Sequence, residues 1–99
     1  MKFTRGWDEG YNGAEEFVDG SDPFYGLTES GIIILDKSGI TYFEYDAELE
    51  KEFCFEQKMQ LNDFSANFIV NSLETLNEAE LNNWLEVFKT HRDTTEEVY

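Results

Sequence analysis

Carboxylates recur at alternate positions through the middle of this 99-residue chain: Glu44, Asp46, Glu48, Glu50, Glu52 and Glu56, interrupted at Cys54. The odd positions between them carry Phe43, Tyr45, Leu49, Phe53 and Phe55. Alternation is the period of a β-strand, so the pattern implies one apolar face and one acidic face. Same-face residues on a strand stand roughly 6–7 Å apart, twice the rise per residue. Carboxylates repeated at that step resemble the charge spacing of a nucleic-acid backbone. The chemistry such a row offers is charge pairing with Lys and Arg on another molecule. Tyr42 lies just ahead of the row, and Trp7 and Tyr11 stand earlier in the chain; aromatics of this kind anchor interfaces. Asp8, Glu9, Glu15, Glu16, Asp19 and Asp22 could extend the patch.

Other reactive combinations are weaker. Cys54 and His91 are the single cysteine and the single histidine. Acids flank Cys54, and negative neighbours raise a thiol pKa instead of lowering it. His91 follows the last helical apolar residue, where a basic side chain complements a helix end. One His and one Cys also exclude a structural zinc site. Asp19-Gly20-Ser21-Asp22-Pro23 reads as a turn, because the EF-hand spacing with a glutamate at its twelfth position is absent. Gly6, Gly10 and Gly13 have neither dinucleotide nor P-loop spacing. Carboxylate pairs abound among 22 acids, so a pair without a pocket signals nothing. The sequence therefore implies no catalytic residue, no metal and no cofactor, and the expectation is a protein that is not an enzyme.

The net charge is −15, from 22 acids against seven bases. Small domains usually carry a net charge of about 2–8 in magnitude, since like charges oppose compaction. Such a surface disfavours direct contact with nucleic acid or an anionic membrane. It favours a basic protein, toward which it would be steered quickly. Nine Phe, five Tyr and two Trp argue for a packed domain over a disordered acidic tail. One cysteine precludes an internal disulfide framework. No stretch reads as a secretory leader, and the longest aliphatic run, 32–35, is far too short to span a bilayer. A soluble, cytoplasmic protein is expected.

The elements that must position the acidic row follow from periodicity. Residues 1–26 are punctuated by five glycines and Pro23, with Trp7, Tyr11, Phe17, Phe24 and Tyr25 interspersed. This reads as a loop-rich aromatic segment, with a short edge strand over 1–5 and a helical turn over 13–18. The β-branched run 31–35 suits a strand covered on both faces. Turn formers at 36–39 join it to a second strand over 40–46, and a bend near 46–51 leads to a third over 51–58. Phe64, Phe68, Ile69, Leu73 and Leu76 then fall at helical spacing, with Asp63 or Ser65 as the cap. Asn77 and Glu80 form a capping box ahead of Leu81, Trp84, Leu85 and Phe88, which share one helical face. The expected fold is one α+β domain over 1–99. A three- to four-stranded antiparallel meander within 31–59 is packed on one face by two C-terminal helices within 63–92, and 93–99 are a frayed tail.

Functionally, the sequence points to an acidic inhibitor that occupies the basic nucleic-acid-binding surface of a nuclease or defence effector. The expected forms are an immunity protein for a toxin nuclease, or an anti-restriction or anti-CRISPR antagonist acting by nucleic-acid mimicry. Its contacts would be Glu44, Asp46, Glu48, Glu50, Glu52 and Glu56, with Tyr42 as the aromatic anchor. The competing expectation is a non-catalytic structural or regulatory subunit that docks through the N-terminal aromatics, its charge serving solubility.

Overall fold

In the computed structural model, which describes residues 1–7, 13–90 and the backbone of 93–98, the strands lie across the sheet in the order of the chain. They are β1 (Phe3–Arg5), β2 (Phe24–Leu27), β3 (Gly31–Asp36), β4 (Gly39–Asp46), β5 (Lys51–Lys58) and β6 (Asp93–Val98). Every neighbouring pair is antiparallel. Helices α1 (Asp63–Glu74) and α2 (Glu78–Thr90) separate β5 from β6 and pack on one face of the sheet. The fold is thus α+β, with a larger sheet than the sequence implies. Five strands precede the helices and a sixth follows them.

Local chemistry explains each junction. Lys37 and Ser38 form the loop between β3 and β4, and Asp36 Oδ1 accepts the Ser38 N–H at 2.9 Å. Asp46 accepts the N–H groups of Glu48 and Leu49 at 3.0 and 3.1 Å, which fixes the 47–50 loop between β4 and β5. The cap of α1 is Asn62, ahead of the expected Asp63 or Ser65. Its Oδ1 accepts the Ser65 N–H at 2.8 Å, while Ser65 Oγ accepts the Asn62 N–H at 3.0 Å. Asn77 and Glu80 make the expected reciprocal box at 3.0 and 2.8 Å, so two of the orphan donors at the start of α2 are satisfied.

The loop lengths decide which side chains face the helices. Paired residues of an antiparallel sheet point to the same face. The 47–50 loop has an even number of residues, so partners across it have opposite parity, as in Tyr42↔Phe55 and Glu44↔Phe53. The helix-covered face is therefore even-numbered on β4 and odd-numbered on β5. Ile33, Leu35, Ile40, Tyr42 and Phe55 line it against Val70, Leu73, Leu81, Leu85 and Phe88. This overturns the expectation of a single acidic face on even positions throughout 43–56.

Further corrections concern the ends of the chain and α1. β2 lies inside the segment read as loop, too short to show an alternating pattern. Residues 93–98 are a strand, not a frayed tail, paired with β5 from Lys51↔Val98 to Glu56↔Asp93. β5 would otherwise present an open edge, and the β-branched Thr94, Thr95 and Val98 suit an extended backbone. No helical turn forms over 13–18; the chain there is irregular and turns at 18–19. On α1, Ala66, Val70 and Leu73 are buried while Phe64 and Phe68 face outward, opposite to their expected placement. α2 buries Leu81, Leu85 and Phe88 on the expected stripe. No described helix is long and apolar enough to cross a membrane.

Candidate protein-binding surface

The expected carboxylate row is divided into three groups. Glu44 and Asp46 belong to the helix side of β4, by the register that pairs Glu44 with Phe53. Glu52 and Glu56 belong to the other side of β5, paired with Tyr45 and Thr41. Glu48 and Glu50 are exposed in the loop between them. The acids thus wrap around a hairpin and its tip in place of a flat row. Tyr42 is 1% exposed and stacks on Phe55 with ring centroids 6.1 Å apart. It is a core residue and is unavailable as a surface anchor.

Glu44 has an internal role. Its Oε2 accepts from Lys89 Nζ at 2.9 Å, and Lys89 also reaches Glu86 at 3.0 Å. Burial alone would lower the Lys89 pKa. The hydrogen bonds to Glu44 and Glu86 outweigh it and hold the ammonium above its ordinary value. A raised lysine pKa means that the pair contributes its full stability below the ordinary lysine range and loses it as pH rises through the folded value. Lys89→Ala should therefore destabilise the chain by about 1–3 kcal/mol at pH 7, because a partly buried carboxylate loses its partner. Urea unfolding measures this, and an unchanged midpoint would remove Glu44–Lys89 from the forces that dock α2.

The exposed tip carries apolar groups that the row reading assigned to the core face. Tyr45 is 47% exposed and Leu49 is 56% exposed, beside Glu48 and Glu50. Tyr45 donates its N–H to Ser30 O at 2.9 Å, which ties the end of β4 to the β2–β3 loop. Glu50 adopts a left-handed φ of 52°, which ends the loop before β5. The tip is therefore a braced turn presenting carboxylates on either side of an aliphatic side chain.

Several described cations are already engaged within the chain. Arg5 pairs with Asp63, donates Nε–H to Asp22 O at 3.1 Å, and lies 4.3 Å over the Phe24 ring. Lys37 pairs with Glu15 at 3.2 Å. Internal pairs of this kind cancel equal numbers of opposite charges, so the surplus of carboxylates remains for solvent or a partner.

The helix-free face is crossed at one end by the N-terminal segment. Glu15 donates its N–H to Asp36 Oδ2 at 3.1 Å, and Trp7 Nε1 donates to Ala14 O at 2.9 Å. Ile34 and Cys54 are buried on this face, outside the main core cluster. Cys54 Sγ lies 3.8 Å from Glu56 Oε1. Of the N-terminal aromatics, Phe17 and Phe24 are core residues and Trp7 is exposed. The expectations for Asp8, Glu9, Tyr11 and His91 fall outside the described residues.

An open cleft of about 730 Å³ lies between the β3–β4 turn and the start of α1, with Val18, Lys37, Lys58 and Leu61 among its lining. Among the described residues, no three His, Cys, Asp or Glu side chains are grouped to hold a metal ion. Asp19 closes the expected turn by accepting the Ser21 N–H at 2.9 Å, and that bond keeps its carboxyl below the ordinary range. No family model, curated protein or solved structure matches the chain.

Proposed function

We propose that this chain is a non-catalytic, acidic binding protein that occupies the nucleic-acid-binding surface of a basic protein, most specifically a nuclease or defence effector. The observation that carries the reading is the 47–50 tip. Glu48 and Glu50 project from a braced turn with Leu49 between them and Tyr45 at its base, on a chain of net charge −15. Carboxylates held this way can pair with Lys and Arg that otherwise hold phosphates, while Leu49 and Tyr45 supply apolar contact. The binding row expected from sequence is redrawn accordingly. Glu48 and Glu50 lead it, Glu52 and Glu56 flank it, Asp46 braces the turn, and Glu44 is tied to Lys89. Action as a toxin-nuclease immunity protein or as an anti-restriction or anti-CRISPR factor are the forms this reading takes, with the cytoplasm as the place of action.

The test uses purified basic nucleases with the whole chain, at low and high salt and with DNA or RNA as competitor. Binding that weakens with salt and yields to nucleic acid is expected. Glu48→Lys together with Glu50→Lys should weaken association at least about tenfold at low salt and much less at high salt. A chain that binds none of them, or binds indifferently to salt and competitor, would sink the proposal.

A further inference from the structure

We infer that the outer edge of β6 is a docking strand, to which an extended segment of the basic partner, bearing Lys and Arg, adds as a further strand of the sheet. The inference rests on the basic-partner reading above and adds a second contact to it. The sheet has two edges, β1 and β6. β1 has three residues, and its outward Phe3 N–H is donated to Glu74 Oε2 of α1 at 2.9 Å, so that edge is short and partly closed. β6 has six residues and contains neither Pro nor Lys, the usual guards of a strand edge. Its register with β5 runs without a bulge from Lys51↔Val98 to Glu56↔Asp93, and among the described residues no strand lies beyond it. The ladder shows which backbone groups it offers. Met59 donates its N–H to Ser38 O at 3.0 Å, one step past the Gly39↔Lys58 pair. Odd-numbered residues of β5 therefore bond to β4, and even-numbered ones, by the alternation of an antiparallel ladder, bond to β6. Their partners are Asp93, Thr95 and Glu97. The N–H and C=O groups of Thr94, Glu96 and Val98 consequently point away from the sheet, where an added strand would take them.

Charge selects the incoming strand. Asp93, Glu96 and Glu97 lie on β6, and Glu52 and Glu56 occupy the β5 positions paired with Glu97 and Asp93. Acids at paired positions are unfavourable, and cations arriving on a neighbouring strand offset that cost. The bases at this end are Lys51, paired with Val98, Lys58, two positions past Glu56, and Arg92, next to Asp93 in the sequence. These five acids outnumber the three bases, so the edge carries net negative charge. A second copy would bring another chain of net charge −15 and the same strand, and that repulsion opposes self-pairing. A basic extended segment supplies the backbone partners and the opposite charge together, which is the chemistry of strand addition to a sheet edge.

The test follows amide hydrogen exchange of the whole chain, alone and with the same purified basic nucleases. In the complex the Thr94, Glu96 and Val98 amides should exchange at least about tenfold more slowly, and those of Asp93, Thr95 and Glu97, already in the ladder, should change less. Thr94→Pro removes one outward N–H and sets a ring against the incoming strand. Proline is tolerated where a strand N–H faces solvent, so this variant should keep the native circular dichroism spectrum and thermal midpoint. It should bind at least about tenfold more weakly, while Thr94→Ala, which keeps the amide, binds as the parent does. Should Thr94→Pro fail to fold, the exchange measurement on the native chain decides alone. Unchanged exchange at Thr94, Glu96 and Val98 in a complex that E48K/E50K weakens overturns the β6 edge and leaves the basic-partner reading standing. Parent affinity in a folded Thr94→Pro chain does the same. Failure of the native chain to bind any of the nucleases overturns both. A native dimer in sedimentation that becomes monomeric in Thr94→Pro assigns the edge to a second copy and overturns the basic occupant.

Discussion

Gly39→Ala should remove about 3–6 kcal/mol of stability, a large part of what a small domain possesses. Two independent costs combine at this position. Gly39 has a φ of +135°, a conformation that L side chains rarely adopt. A methyl group there would also meet Gln57 O at 2.1 Å and Met59 N at 2.9 Å, both backbone atoms that cannot swing aside. The closeness arises because the chain leaving β5 folds directly over the β3–β4 turn. Met59 donates its N–H to Ser38 O at 3.0 Å, and Leu61 donates to Lys37 O at 3.2 Å. This crossing delivers the chain from the sheet to the cap of α1, so the damage would spread to the placement of the helices. Gly20→Ala provides the comparison. Its φ is +85° but nothing stands within 4 Å of the added carbon, so about 1–2 kcal/mol is expected. Urea unfolding of the two variants separates backbone conformation from steric contact. Equal losses would mean that the close approach at Gly39 contributes nothing.

The sequence displays the elements near this crossing clearly and their orientation poorly. The run 31–35, the turn formers at 36–39 and the alternation beyond them define β3, β4 and β5 nearly to the residue, because period and turn chemistry are local properties. Which face is buried is not local. It depends on whether 47–50 contributes an even or an odd number of residues to the loop, and a bend placed only approximately leaves that undetermined. Hence Tyr42 looked like a member of the exposed set and Tyr45 like a member of the buried one. α1 poses a related problem. Phe64, Ala66, Phe68, Ile69, Val70 and Leu73 cover much of the helix circumference, and only one stripe can face the sheet. The structure chooses the stripe containing Ala66, whose small side chain permits close approach, over the larger hydrophobic mass of the two phenylalanines. β2 and β6 lack a strong pattern of their own, and pairing with a neighbouring strand supplies what their sequences do not.

The candidate site divides the same way. Excess acid is a property of composition and is visible at once, as is the poverty of the chain in nucleophile–base pairs. The partition of those acids among an internal ion pair, a loop brace and an exposed tip depends on contacts between residues far apart in sequence. Glu44 and Lys89 are 45 positions apart. Nothing in the local pattern distinguishes Glu44 from Glu48, yet one helps hold α2 to the sheet and the other is free to meet solvent.

Tyr42→Ala should cost about 3–5 kcal/mol, the loss expected when a buried aromatic is truncated to a methyl group. The ring sits at the centre of the helix-covered face, opposite Ile33 on one side and Phe55 on the other. Its phenol is pushed up to about 12 by burial, with the Glu44 carboxylate adding to the rise, while the Thr28 hydroxyl and the Lys89 ammonium pull the other way. The folded state thus favours the neutral phenol, whereas an unfolded tyrosine ionises near 10. Above about pH 10 the unfolded chain binds fewer protons than the folded one, so stability falls as pH rises toward about 12. Tyr42→Phe keeps the packing and discards the ionisation. It should stay within about 1–2 kcal/mol of the parent at pH 7 and lose less stability in alkali. Lys89 loses its proton in the same alkaline direction, so part of the fall should persist in Tyr42→Phe. The pair of variants also separates the core role of Tyr42 from the surface role its sequence context suggests. A core residue predicts that Tyr42→Ala loses partner binding only by unfolding, while Tyr42→Phe binds as the parent does. Weakened binding by a Tyr42→Ala chain with an unchanged thermal midpoint would return the residue to the interface.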